Sequence, residues 1–492
     1  MIEFLLNDEL VRIEHERADL TVLNYLRDSR AMCGTKEGCA SGDCGACTVV
    51  VAELNTEQAS SRRLNYYSLN SCVTFLSAIH GKQLITVEHI GNTSNMHPVQ
   101  QAMVDNHGSQ CGFCTPGFIM SMFALYHSDK TTNTEKEATL ARHHVTTALS
   151  GNLCRCTGYQ PIINAALEAC SNTPNDAFTA NEAFTITRLI DINKNTDIGT
   201  EQLILPTTRA LLKQALNKYP RARLVAGSTD LALEHTQQLN ALDTLISVSH
   251  IPALSRIEQR PDKLVFGAAS PLNKIHDVLT QYFPMLDEIV ERFASLPIRN
   301  QATLGGNIAN ASPIGDMPPV MLALNANVLV DSGDSVRKIP INEFFVDYRK
   351  TKLQKNEWID AIEVPLPESK NQIRAYKISK RFEDDISAVC AAFNLALDEK
   401  NCIKALSTGF GGLAATPIQS SLLQDSLIGK HWASKETLTL GKSILQDAFA
   451  PIDDVRASAA YRKTVVVNLW HRFWLETNTS TQQIATRVIE HA

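Results

Sequence analysis

The chain has 492 residues, a net charge of −6 at pH 7, and 44% hydrophobic against 20% charged residues. That length allows about three domains with ordinary buried cores. The mild acidity gives no electrostatic footing for nucleic acid. No apolar run reaches the roughly 18 residues a membrane span needs, and Met1–Asp8 lacks the basic and apolar regions of a secretory signal. Twelve cysteines in such a chain point to a reducing compartment, the cytoplasm, and to metal or catalytic duty rather than disulfides.

In chain order, Ile2–Leu6 and Leu10–Ile13 flank an Asn7-Asp8 turn and predict a hairpin. Leu20–Arg27 reads as a short helix leading into a Gly- and Cys-rich loop at 33–47. Thr48–Val51 and Leu84–Val87 read as strands, closing a small α+β unit near residue 91. A helical unit follows over 92–170. Its helices include Val99–Asp105, one opened by Thr115-Pro116, and one opened by Pro161. Residues 171–200 are polar and weakly periodic and read as a linker. A new α/β unit spans 201–370, where Thr208 caps a helix carrying Leu211, Leu212, Ala215 and Leu216, and Arg223–Gly227 runs from strand into a Gly loop. A last unit over 371–480 is expected to hold strands at 386–397 and 402–410 and helices after 434.

Eight cysteines form two sets. Cys39, Cys44 and Cys47 have C-x₄-C-x₂-C spacing with Cys72 as a distant fourth, the plant-type [2Fe–2S] pattern. Gly38, Gly42 and Gly45 let the backbone wrap and aim N–H groups at sulfur. Zinc sites more often pair two C-x₂-C arms. The second set is Cys111-x₂-Cys114 with Cys154-x-Cys156. By spacing alone it suits either [2Fe–2S] or zinc, and a C-x₂-C pair also suits a thioredoxin-like redox site. Both pairs precede expected helix N-termini, where free N–H groups favour anionic thiolates. Cys33, Cys170, Cys390 and Cys402 carry no assigned role. His143-His144 reads as a solvated helix face. Gly409-x-Gly411-x-x-Ala414 matches a dinucleotide fingerprint, but Thr416-Pro417 follows at once and breaks the helix it should open.

Taken together, Gly38–Thr48, Gln110–Gly117 and Leu149–Tyr159 resemble the molybdenum hydroxylases, the family of xanthine dehydrogenase and aldehyde oxidase. The resemblance implies a plant-type β-grasp ferredoxin domain over 1–91 and a four-helix domain over 92–170, with a [2Fe–2S] cluster in each. It continues through Leu205–Thr208, Leu224–Asp230 and Ala302–Pro313, which look like the family's non-Rossmann FAD domain. There two Gly loops cradle the pyrophosphate with backbone N–H groups. The implied FAD contacts are Arg223, Leu224, Val225, Ala226, Gly227, Ser228, Thr229, Asp230, Phe293, Thr303, Leu304, Gly305, Gly306, Asn307, Asp316, Ile359 and Lys377. A small α+β C-terminal domain completes a multidomain α+β chain.

The resemblance further implies a molybdopterin cofactor on a separate large subunit, in an (αβ)₂ heterotetramer, because the chain ends at Ala492 without room for that domain. Electrons would cross this chain from molybdenum to FAD and on to NAD⁺, in support of oxidising hypoxanthine and xanthine to urate. Gln110 would reach toward the pterin. Tyr348, Asp384 and Asp385 would lie on the NAD side, in loops whose charge also suits plain solvation. A related aldehyde or N-heterocycle hydroxylase, a stand-alone NADH-dependent iron–sulfur reductase and a flavin-free metal-binding protein are the alternative readings.

Overall fold

The computed structural model describes residues 1–55, 63–128, 138–171, 174–195, 198–367, 370–478 and 486. Two compact units emerge. One is Met1–Pro252 with Ala294–Ala302, and the other is Ala253–Phe293 with Thr303–Ala492. The range 201–370 is therefore shared between them.

In the first unit, Ile2–Leu6 and Glu9–Ile13 form the expected hairpin, turning at Asn7 with φ 57°. Gln83–Ile85 lies parallel to the first strand, and Thr48–Leu54 and Leu64–Asn70 complete a five-stranded sheet. Val49 and Val51 enter a core with Phe4, Val22, Leu26 and Phe75. Val50 and Ala52 point the other way, into a core with Phe118, Met122 and Phe123. Both faces of that strand are covered, which is why its sequence is an unbroken apolar run. The expected helix Leu20–Arg27 is a single turn, Val22–Asn24, capped by Thr21 and continuing as a π turn over Tyr25–Ser29. Leu64–Asn70 was not expected as a strand, because its polar residues break the alternation.

Four helices follow at Pro98–Asp105, Thr115–Tyr126, Ala138–Leu149 and Gln160–Ala169, packed on one another. The Pro signals at 116 and 161 do sit in first turns, with Cys114 and Tyr159 as the N-caps. The stretch read as a linker instead contains helices Ala177–Ala180 and Glu182–Asn193. Ile186, Leu189 and Ile192 bury against Leu5 and Leu64. This apolar stripe is too thin among polar neighbours to register as periodic. Asn172, Thr173, Thr196 and Asp197 of that stretch lie outside the described residues. Next, Leu203–Ile204, Leu245–Ser247 and Arg223–Val225 form a parallel sheet, with the helix Arg209–Lys218 capped by Thr208 as expected.

The second unit holds an antiparallel five-stranded sheet in the order Val336–Pro340, Asn327–Asp331, Trp358–Pro365, Lys263–Gly267, Ile257–Gln259. It also holds a three-stranded sheet of Gln372–Ile378, Val389–Leu397 and Ile403–Gly411. Phe393 stacks on Phe473 at 4.9 Å in a core with Trp432 and Trp470, between this sheet and the C-terminal helices. Gly409 and Gly411 end a strand, as expected of a decoy. A Cβ at Gly409 would fall 1.9 Å from the Pro319 carbonyl oxygen, so glycine is required there for close backbone packing. Among the described residues no helix is long and apolar enough to cross a membrane.

Asp176 fastens the Ala177–Ala180 helix to the four-helix domain. Its Oδ2 lies 2.7 Å from His97 Nε2 and 2.8 Å from His127 Nε2, and its Oδ1 accepts from Thr179 N–H. These are metal-ligand residue types. However, His97 Nδ1 accepts the Val99 N–H, which leaves Nε2 to carry the proton given to Asp176, so the group is a hydrogen-bonded knot. Burial opposes ionisation of Asp176, but the hydrogen bonds from His127 and His97 outweigh it and hold its carboxyl well below the usual range. The folded pKa is depressed, so the stabilisation is present above pH about 4 and is lost as pH falls through the folded value. Asp176→Ala is expected to cost about 2 kcal/mol locally, read as a roughly 30-fold loss of amide-exchange protection over 177–180 at neutral pH. Unchanged protection would refute the knot.

Candidate iron–sulfur and flavin sites

All four cysteines of the first set converge. The loop reaches them through left-handed residues at Ala40, Gly42 and Gly45, with φ of 55°, 82° and 67°. Ser41 and Cys44 N–H groups each lie 3.4 Å from Cys39 Sγ, and Cys47 Sγ is 3.3 Å from Cys72 Sγ. The thiols share protons pairwise. Hydrogen bonds from Cys44 and Cys72 draw Cys39 and Cys47 down, while Cys44 and Cys72 are pushed up. Four sulfurs this close cannot all ionise without a cation among them, so the donor set fits a [2Fe–2S] cluster. Cys47 and Cys72 are buried, and Cys39 and Cys44 are half-buried.

The second set also assembles. Burial first, then the neighbouring Cys154, pushes Cys114 up to about 12. Burial opposes ionisation of Cys154, but hydrogen bonds led by that of Thr157 hold it down. Cys156 is raised chiefly by its hydrogen bond with Cys111. Positive φ at Gly112, Gly158 and Tyr159 shapes the two turns. Here Cys111 and Cys156 are exposed, beside Phe113, Leu153 and Tyr159 at 49%, 41% and 37% exposure. Gln110 is exposed on the same turn.

The two cluster loops are stitched together directly. Leu153 N–H donates to the Cys44 carbonyl at 3.0 Å. Asn152 Nδ2 donates to Gly45 O at 3.0 Å, and its Oδ1 accepts from Ser121 at 2.6 Å. A Cβ at Gly45 would lie 2.2 Å from the Gly151 carbonyl oxygen, and one at Gly117 would lie 2.2 Å from the Gly45 carbonyl oxygen.

Each expected flavin loop keeps its character within its own unit. In the first, Arg223, paired with Glu234 at 2.8 Å, and Leu224 are exposed, and Val225 is buried. Ala226, Gly227 and Thr229 are half-buried, Ser228 turns left-handed at φ 56°, and Asp230 caps the Leu231–Thr236 helix. In the second, Thr303 accepts the Gly306 N–H at 3.0 Å, Leu304 is buried and Gly306 is exposed. A Cβ at Gly305 would lie 2.4 Å from Ala268 Cβ. Asn307 Oδ1 is buried with no hydrogen-bond partner among the described residues, an acceptor suited to a ligand hydroxyl. These features fit FAD.

The second unit also brings together residues that the sequence offered separately. Lys377 Nζ lies 2.7 Å from Asp316 Oδ2, both buried. Phe293 is half-buried, and Ile359 is buried in its strand opposite Val330. Tyr348 is exposed, next to Arg349, which donates to Asn310 at 2.6 Å. Asp384 adopts φ 44°, and Asp385 accepts from Arg381 and Ile386 N–H. Of the unassigned cysteines, Cys170 and Cys390 are buried, Cys402 is half-buried and Cys33 is exposed.

Sequence reasoning missed three polar residues. Asn152 sits inside a motif valued for its cysteines. Arg292 is buried, stacks on Phe382 at 4.2 Å and donates to the Phe382 and Lys377 carbonyls; nothing in its local sequence marks it. Gln301 directly precedes the second Gly motif, and that adjacency was the available signal.

Family comparison accounts for most of the chain. Residues 4–77 match the 2Fe-2S iron-sulfur cluster binding domain and 86–167 the [2Fe-2S] binding domain. Residues 198–367 match the FAD binding domain in molybdopterin dehydrogenase, and 374–477 the CO dehydrogenase flavoprotein C-terminal domain. The chain is 31% identical to a xanthine dehydrogenase of Emericella nidulans, over 96% of this chain and 38% of that protein. It is 32% identical to one of Drosophila pseudoobscura pseudoobscura, over 96% and 39%. The chain thus spans under two fifths of those relatives' length. In fold it is similar to a chain of CO dehydrogenase from Oligotropha carboxidovorans, with TM-score 0.52 and 24% identity over 56% of this chain and 96% of that one. It is also similar to a chain of quinoline 2-oxidoreductase from Pseudomonas putida 86, with TM-score 0.52 and 23% identity over 57% and 97%.

Asn152→Ala removes the side chain that ties the two cluster loops. It is expected to cost about 1.4 kcal/mol, read as roughly tenfold faster loss of iron to a chelator. Unchanged iron release would refute the stitch. With both sulfur sets assembled and the flavin loops inside the matched range, the chain carries two 2Fe-2S domains and an FAD-binding domain of the kind found in molybdopterin dehydrogenases.

Proposed function

We propose that this chain is the electron-transfer subunit of a xanthine dehydrogenase. In this reading a large partner subunit holds the molybdopterin cofactor and oxidises hypoxanthine and xanthine to urate, within a cytoplasmic (αβ)₂ heterotetramer. Electrons then cross this chain through the two clusters to FAD and reach NAD⁺. When bound, the clusters supply one-electron carriage and FAD supplies the conversion to two-electron hydride chemistry.

The observation that carries this reading is the unequal exposure of the two sulfur sets. Cys111 and Cys156 are exposed among Phe113, Leu153 and Tyr159, whereas Cys47 and Cys72 are buried. Exposed cysteines on turns that also carry exposed apolar side chains suit a docked donor subunit, with Gln110 reaching toward its cofactor. The first set, with Cys47 and Cys72 buried and Cys39 and Cys44 half-buried, suits an internal relay. Relatives named xanthine dehydrogenase support the purine substrate. Tyr348, Asp384 and Asp385 are assigned to the nicotinamide side of the flavin.

The chain purified with its large partner should show rapid bleaching of the flavin absorbance on adding NADH, and xanthine should reduce NAD⁺ in steady state. Turnover with O₂ and none with NAD⁺ would sink the acceptor assignment. Full activity of this chain without any partner would sink the subunit assignment.

A further inference from the structure

A buried strap joins the first sulfur set to the first flavin loop, and the function above makes no use of it. Gln301 is 8% exposed. Its Nε2 donates to the Gly227 carbonyl at 2.6 Å and to Ser228 Oγ at 2.7 Å. Its Oε1 accepts the Thr74 hydroxyl at 2.7 Å. The Gly227 carbonyl only accepts, so the amide nitrogen must face it, which fixes the amide orientation. Ser228 Oγ in turn donates to the Val73 carbonyl at 2.6 Å. Val73 and Thr74 directly follow Cys72. Gly227 sits so close that a Cβ there would lie 1.9 Å from the Gln301 carbonyl oxygen.

A second, independent tie reaches the other end of the same sulfur loop. Gln237, which ends the short helix after the flavin loop, donates through Nε2 to the Cys39 carbonyl at 3.1 Å and to the Ala40 carbonyl at 2.9 Å. The segment 227–237 therefore grips both Cys72's neighbours and Cys39. The Gln301 and Ser228 bonds are buried or part-buried, so that end of the tie cannot move without leaving polar groups unmade away from water, whereas the Gln237 bonds lie at the surface.

We propose that the Thr74–Gln301–Ser228 strap couples assembly of the first cluster to flavin binding, with Gln301 as the positioning residue. A cluster that orders Cys39 and Cys72 orders the 227–230 loop through the strap, so FAD binds more tightly to the loaded chain. Linkage requires the reverse as well, so bound FAD slows loss of that cluster. The inference rests on the reading that this loop holds FAD.

The test uses the full chain and measures FAD affinity by flavin fluorescence, with and without the first cluster. Cluster removal is by Cys72→Ser and, independently, by chelation. The paramagnetic resonance signal of the second cluster and the circular dichroism spectrum report that the rest is folded. Loss of the first cluster should weaken FAD binding about tenfold, whereas Cys156→Ser should not. In the loaded chain Gln301→Met should weaken FAD binding similarly, and removing the first cluster from that variant should weaken it no further. Ser228→Ala should behave the same way with a smaller perturbation. Equal FAD affinity with and without the first cluster overturns the coupling, as does undiminished coupling in both variants. Gly227→Ala separates the two levels: if it too leaves FAD affinity unchanged in a folded chain, the flavin reading of the loop fails and takes the inference with it.

Discussion

Thiolates repel one another, and eight of them gathered into two groups of four dictate much of the first unit. Each group needs a cation at its centre to ionise fully. Until then, neighbouring thiols share protons, as Cys47 and Cys72 do at 3.3 Å. Holding such a group together requires backbone that turns sharply and packs without side chains. That is the role of Gly45, whose missing Cβ admits the Gly151 carbonyl. The Leu153 to Cys44 hydrogen bond then makes the two sulfur loops neighbours through the main chain itself.

This arrangement has an electrical consequence. Two redox centres in one chain exchange electrons usefully only if their spacing is fixed, and the spacing here is set by Asn152 and by backbone hydrogen bonds rather than by long side chains. The strap at Gln301 extends the same economy toward the 227–230 loop. Short polar residues in dry surroundings have few alternative partners, so their geometry is well determined.

The two cysteine sets that converge were legible because metal-type spacing fixes residue type and position together, and the closely packed glycines because only glycine tolerates such approaches. The polar residues that position them were not. Asn152, Gln301 and Asp176 act on partners far away in sequence, 107 residues away for the Asn152 to Gly45 bond and 227 for the Thr74 to Gln301 bond. No local pattern encodes such pairs. The helix Glu182–Asn193 escaped for a different reason: three buried residues on one stripe suffice when a sheet face waits to receive them. Strand Leu64–Asn70 escaped because its tyrosines and asparagine mask the period of two. In each case tertiary context decided what local propensity left open.

The segment Ala294–Ala302 belongs to the first unit although the chain on either side of it belongs to the second. Ile298 packs against Gly42 of the first sulfur loop, Ser295 against Gly151 beside the second, and Asn300 bonds the Ser68 carbonyl. In order of synthesis, therefore, the first 252 residues precede the short segment that completes their unit. The packing that Ile298 and Ser295 supply beside the two sulfur loops comes from a stretch some fifty residues further along the chain.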